Sequence, residues 1–181
     1  MDTETYVTGI AAQYRARCAE DSDISLHLPF LYDSAQGSTV IELGVRTGNS
    51  TAAFLAAGAE VWSADTGDPQ VPAEWRENPR WHFLLGNDLS PEILAGLPAA
   101  ADIVFIDTAH TYEHTLAELR AYAPRAGRLV LLHDTQWVPG GIDGGTPTGE
   151  VARALDGYCV EAGLSWVNRP GSYGLGVIRV A

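Results

Sequence analysis

The chain has no lysine. All eleven of its basic residues are arginine, against 23 acidic ones, for a formal charge of −12 and a pI near 4.6. The absence reads as a genomic composition bias, but it leaves no lysine to act as a general base or Schiff-base former. The deficit of positive charge removes the basic face that phosphate backbones and anionic membranes require, so nucleic-acid and membrane partners are disfavoured. Cysteine is scarce too. Cys18 and Cys159 stand far apart with no CxxC spacing, which supports neither a zinc ribbon nor a disulfide framework and makes a reducing compartment the default. No apolar run approaches the roughly 18 residues of a membrane-spanning helix. The N-terminal Met-Asp-Thr-Glu-Thr-Tyr is acidic and lacks the charged and apolar regions of a secretory leader. The expectation is a soluble, cytoplasmic protein.

What is present is core-forming material: 46% hydrophobic residues and 9% aromatics in 181 residues, enough for one ordinary domain. Residues 4–19 and 24–36 have apolar spacing compatible with two helices, the second broken or begun near Pro29. The pattern then changes to short apolar runs alternating with helical segments. The runs are Thr39 to Leu43, Glu60 to Asp65, Trp81 to Leu85, Asp102 to Ile106 and Arg128 to Leu132. The segment from Asn49 to Gly58 reads as an N-capped helix ending in glycine, and further helices are predicted near 91–97, 112–123 and 150–162. Strands apolar on both faces and alternating with helices predict a parallel sheet covered on both sides. After a Gly/Pro-rich loop at 138–149, the runs Leu164 to Asn168 and Gly174 to Val180 flank Arg169-Pro-Gly-Ser-Tyr173, a hairpin signal. The predicted fold is therefore α/β and Rossmann-like: seven strands, mostly parallel, with a C-terminal antiparallel hairpin and helices on both faces.

In such a sheet the ligand lies beyond the carboxyl ends of the strands, where helix N-termini and loop amides converge. The residues delivered to that edge are Glu42 with Gly44 and Gly48, then Asp65, Asn87 with Asp88, Asp107 with His110, and His133 with Asp134. Five successive strands each bring an acidic residue. That set repels a nucleotide triphosphate unless metals intervene, whereas it holds a cationic or hydroxyl-rich ligand. The first loop, Glu42-Leu-Gly44-Val-Arg46-Thr-Gly48-Asn-Ser50, has Arg46 and Asn49 where a dinucleotide fingerprint needs glycine, which argues against NAD. The GK[ST] of a phosphate-binding loop is absent.

These residues resemble the class I S-adenosylmethionine-dependent methyltransferases over about residues 37–181, the terminal hairpin included. The Glu42 to Ser50 stretch is similar to the first motif of the cation-dependent O-methyltransferases acting on catechols and caffeoyl thioesters. Asp107-Thr-Ala-His110-Thr-Tyr112 and Leu-Leu-His133-Asp134 resemble the bacterial group that methylates sugars and hydroxyls of antibiotics. The resemblance implies S-adenosylmethionine as cofactor. Gly44, Gly48 and Ser50 would lie in the methionine loop with Glu42 supporting it, Asp65 at the ribose, Asn87 or Asp88 at the adenine, and Asp107 alongside. It also implies a divalent metal, magnesium or a softer ion, at Asp107, His133 and Asp134. The lysine base of the catechol-type enzymes is replaced by His110, whose ordinary pKa of about 6.5 leaves a neutral imidazole near pH 7. His133 stands where relatives have a carboxylate, which points to a softer metal, fewer protein ligands or none. Arg46 is expected to pair with the cofactor carboxylate or with Glu42.

With no long inserted lid, the acceptor pocket would be built from residues 1–36, the 135–149 loop or a second subunit, and a homodimer is compatible with the short chain. Trp137, Tyr112 and Tyr173 are aromatic lining candidates for it. Plainer readings exist for several of these residues. Asp65 and Asp88 also suit helix or turn caps, and His133 could simply bond a loop carbonyl. His114, four residues after His110, has metal-ligand spacing but reads better as a solvated helix residue. The expected activity is methyl transfer to a hydroxyl of a small molecule of natural-product type. The alternatives are a metal-independent N-methyltransferase, a non-catalytic binding module and, distantly, an iron hydroxylase.

Overall fold

The computed structural model describes residues 3–138, 141–142 and 149–180. Five parallel strands come first: β1 (Thr39–Leu43), β2 (Glu60–Asp65), β3 (Trp81–Leu85), β4 (Ala101–Ile106) and β5 (Ala126–His133). A two-stranded ribbon, β6 (Trp137–Val138) with β7 (Gly141–Ile142), stands apart from the main sheet. The terminal hairpin β8 (Trp166–Arg169) and β9 (Leu175–Arg179) joins it, so the sheet runs β3-β2-β1-β4-β5-β9-β8. β9 is antiparallel to both β5 and β8, and the other pairings are parallel. This is the seven-stranded arrangement read from the sequence. Most of the 138–149 loop lies outside the described residues.

Period-two alternation assigns each strand residue to one of two cores. Val40, Val61, Ile103, Phe105, Leu129 and Leu131 face helices α1 (Thr3–Ala19), α2 (Leu28–Ser34) and α3 (Asn49–Ala56). Ile41, Leu43, Val104, Ile106, Val130 and Leu132 face α4 (Pro91–Gly96), α5 (Tyr112–Tyr122) and α6 (Glu150–Ala162). Both faces are dry, which is why the strands show unbroken apolar runs. No helix among the described residues is long and apolar enough to cross a membrane.

The segment over 24–36 begins its α-helix beside Pro29, as expected: a 3₁₀ turn at Ser25–His27 precedes α2, because Pro29 has no N–H to continue an earlier turn. One expectation about helices needs correction. The N-cap of α3 is Gly48, not Asn49. Its φ of 74° is left-handed and its cap makes no side-chain hydrogen bond.

Candidate active site

The strand order reverses between β1 and β4, and at that switch point two loops close on each other. Gly44, with φ of +86°, brings its backbone so near that an added Cβ would stand 1.9 Å from the Asp107 carbonyl oxygen. Only glycine permits that approach. Two cavities meet at this wall, sharing Gly44, Val45, Arg46, Asp107 and Thr108. One, of about 450 Å³, extends past the ends of β2 and β3 to Asp65, Asn87 and Asp88. The other, of about 310 Å³, opens toward Asp23, Asn49, His110, Asp134, Trp137 and Tyr173.

Beneath the wall lies Glu42, fully buried and lining neither cavity. Its carboxylate accepts hydrogen bonds from Ser50 Oγ (2.6 Å), Thr51 Oγ1 (2.8 Å) and Ser63 Oγ (2.6 Å). Ser63 is in turn held by the Trp81 indole N–H at 2.9 Å. Glu42 thus ties the first turn of α3 to β1 and β2. Burial pushes its pKa up to about 7 despite the three hydroxyl donors. Gly48 lines neither cavity; a Cβ there would collide with Val71 and Trp75. Ser50 reaches the smaller cavity although its hydroxyl is committed to Glu42.

Asp65 borders the larger cavity while its oxygens accept the amides of Val45 (2.8 Å), Arg46 (3.0 Å) and Gly67 (2.8 Å). The capping reading is therefore satisfied in the structure, and free lone pairs remain for a ligand hydroxyl. Asn87 caps its own turn through the Leu89 amide at 2.8 Å. Asp88 is buried, and its Oδ1 lies 3.4 Å from His114 Nε2. Arg46 pairs with Asp23 at 3.1 Å, so the expected pairing with Glu42 does not occur.

Across the wall, two carboxylates and two imidazoles interleave. Asp134 Oδ2 is 2.8 Å from His110 Nε2 and 3.1 Å from His133 Nδ1. Asp107 Oδ1 is 3.5 Å from each of the same two nitrogens. Burial opposes ionisation of all four groups, but the opposite charges outweigh it. Asp107 is held well below the usual carboxylate range, chiefly by His133, and Asp134 is lowered by both imidazoles. His110 is raised to about 9 by Asp107 and Asp134, and His133 is raised well above the ordinary value. The neutral imidazole expected for His110 near pH 7 is thus an imidazolium in this ion-pair setting.

His133 is anchored through Nε2, which donates toward the carbonyls of Asp23 (3.1 Å) and Ser172 (2.8 Å), so only its Nδ1 is turned toward Asp107 and Asp134. Asp107, His110 and Asp134 also converge, with ligand atoms all within 4.8 Å of one another. His110 Nε2 is buried there and lacks an aligned hydrogen bond despite its close ionic contacts. An imidazole nitrogen and two carboxylates fit a divalent cation of intermediate softness.

Of the aromatic candidates, Trp137 and Tyr173 line the smaller cavity, and Tyr112 packs instead under Arg153. Asp23, Asn49, Thr108 and Glu118 were not picked out from the sequence. Asp23 sits in an acidic run that reads as solvated, and Glu118 is an ordinary helix residue by composition. His114 at i−4 from Glu118 was the available signal. Left-handed backbone at non-glycine residues occurs at Arg46, Asp134, Ser172 and Tyr173, which all border this region.

Solved structures share the fold. A Corynebacterium glutamicum protein aligns with a TM-score of 0.70 and 21% identity, covering 98% of this chain and 95% of the other. The O-methyltransferase from Bacillus cereus in complex with SAH aligns at 0.65 and 14%, covering 100% and 93%. The SAH-bound Podospora anserina methyltransferase aligns at 0.62 and 15%, covering 96% and 86%. No curated protein matches the chain. The methyltransferase domain family matches residues 41–135, which span β1 to the end of β5 and contain every wall residue of the two cavities shared between them. The chain belongs to that family, the class I S-adenosylmethionine-dependent methyltransferases.

Proposed function

We propose that this methyltransferase transfers the methyl group of S-adenosylmethionine to a hydroxyl of a small molecule. The observation that carries the reading is the pair of cavities sharing the wall at Gly44 and Asp107. The larger suits the adenosine part of the cofactor, with Asp65 toward the ribose and Asn87 or Asp88 toward the adenine. The methionine part crosses the Gly44–Ser50 loop. The smaller cavity takes the acceptor between Trp137, Tyr173 and His110. Methyl donor and acceptor oxygen then meet in line across the wall, and orientation supplies much of the rate.

His110 is the group placed to receive the acceptor proton. With a pKa of about 9 in the resting site, only a small fraction is neutral near pH 7. A sulfonium cation arriving beside Asp107 competes for the same negative charge and draws that pKa down toward neutrality. A divalent cation, magnesium or a softer ion, would be held by Asp107, His133 and Asp134, the two carboxylates lying 3.5 and 3.1 Å from His133 Nδ1, which leaves His110 for the proton. Such an ion supplies a lowered pKa for the acceptor hydroxyl when bound. A homodimer and a cytoplasmic location complete the reading.

The test is transfer of labelled methyl to a panel of small hydroxylated acceptors, with calorimetry of cofactor binding alongside. His110→Ala should abolish turnover and leave cofactor affinity nearly intact. Loss of cofactor binding instead would refute the proton-acceptor role. Binding without transfer to any acceptor would favour a non-catalytic module, and turnover insensitive to a chelator would remove the metal.

A further inference from the structure

Asp107 and Thr108 are consecutive, yet they serve opposite sides of the wall. Asp107 faces His110 and Asp134, while Thr108 Oγ1 donates to Glu118 Oε1 at 2.5 Å. Glu118 comes from the middle of α5 and is fully buried. One turn earlier on the same helix, His114 brings Nε2 to 3.4 Å from Glu118 Oε1 and, across the gap to the loop after β3, to 3.4 Å from Asp88 Oδ1. The ligand atoms of all three side chains lie within 4.8 Å of one another.

Two features set this cluster apart from a solvated acidic patch. Asp88 and Glu118 are both more than nine-tenths buried, and each has a second carboxylate oxygen, Asp88 Oδ2 and Glu118 Oε2, with no hydrogen-bond partner. Buried polar atoms are rarely left so, and two buried carboxyls side by side need a compensating cation or a shared proton. His114 is part-exposed and borders the larger cavity with Asp88, so an ion has a path in. Thr108 fixes the orientation of Glu118 from outside the cluster, the kind of supporting contact that orients metal ligands.

The geometry points to a second divalent-cation site, formed by Asp88, His114 and Glu118 and separate from the Asp107 cluster. One imidazole and two carboxylates favour zinc, cobalt or manganese over calcium or magnesium. Water entering from the cavity completes the coordination. The ion would lie where the larger cavity ends, not where methyl transfer is proposed, so its role is to hold α5 against the β3 loop and neutralise the charge there.

Cobalt(II) reports directly, because imidazole and carboxylate ligation gives visible ligand-field absorption. The metal-stripped full chain is titrated with Co²⁺ by calorimetry and absorbance, as wild type and as His114→Ala, Glu118→Gln and Asp134→Asn. Circular dichroism checks that each variant is folded; His114→Ala, at a part-exposed position, is the variant that keeps the test open if Glu118→Gln unfolds. The expected result is a Co²⁺ uptake step that weakens about tenfold or more in His114→Ala and Glu118→Gln and survives in Asp134→Asn. No uptake by the wild type, or uptake that ignores His114 and follows Asp134, overturns the site. A proton shared by Asp88 and Glu118 is what the first of those results would mean. Neither result decides methyl transfer itself, which is read from cofactor binding and transfer to an acceptor.

Discussion

At Glu42 a single carboxylate lies under the Gly44–Ser50 loop without touching the cavities, and its energetics can be isolated. The folded protein holds its proton more tightly than the unfolded chain does, with a pKa of about 7 against 4.5. The stability linked to that proton is complete below about pH 4.5 and is lost as pH rises through 7. By linkage it amounts to about 3 kcal/mol. Glutamine fits the same position, since its carbonyl oxygen can take the place of the carboxylate oxygen to which Thr51 and Ser63 both donate, and only Ser50 need turn to accept from its amide. The difference in unfolding free energy between wild type and Glu42→Gln should therefore move by about 3 kcal/mol in favour of the variant from pH 4.5 to pH 8. Urea melts at several pH values measure it. Parallel stability curves would show that Glu42 ionises normally.

On the scale of elements, His133 binds three segments at once. It closes β5, its Nε2 reaches the carbonyl of Asp23 before α2 and that of Ser172 in the β8–β9 turn, and its Nδ1 faces Asp134. Its neighbour His27, whose pKa is lowered to about 4 by burial and then by the charge of His133, stays neutral and donates from Nε2 to the Gly171 carbonyl at 2.8 Å. One charged and one neutral imidazole thus fasten the N-terminal segment to the terminal hairpin. His133→Ala removes one of the two imidazoles paired with Asp107 and Asp134 and leaves His110 as their remaining partner, so a loss of up to about 3–5 kcal/mol is expected. Amide exchange should quicken at residues 22–27 and 170–174, and unchanged exchange there would show that the strap carries no load. This role explains what was and was not legible in the sequence. Strands and their acidic ends were readable because apolar runs stopped by Asp, Glu or Gly are local features. The second nitrogen of His133 was not, because its partners lie 110 and 39 residues away in the chain. Glu118 was hidden for the same reason: only the packing of α5 against the β3 loop takes a helix-favouring residue out of water. The break in the 24–36 helix was half legible, since Pro29 marked it and the 3₁₀ turn before it followed from loop geometry alone.

For the molecule as a whole, charge and topology act together. A chain with a net charge of −12 and no lysine gathers Asp65, Asp88, Asp107 and Asp134 at one sheet edge. The paired cations there, His110 and His133, belong to the wall and leave the larger cavity acidic. The methylated cofactor carries a sulfonium charge that its demethylated product lacks, so a negative edge distinguishes the two electrostatically. Screening shortens to about 10 Å at 0.1 M salt and about 3 Å at 1 M, so long-range attraction to the rim fades while direct contacts persist. Affinity for S-adenosylmethionine should therefore fall as salt is raised across that range, and affinity for the demethylated product should change much less. Calorimetric titrations of both ligands at matched salt concentrations make the comparison. Equal salt dependence would mean that the acidic rim does not sense the sulfonium, and product release would then need a cause other than loss of its charge.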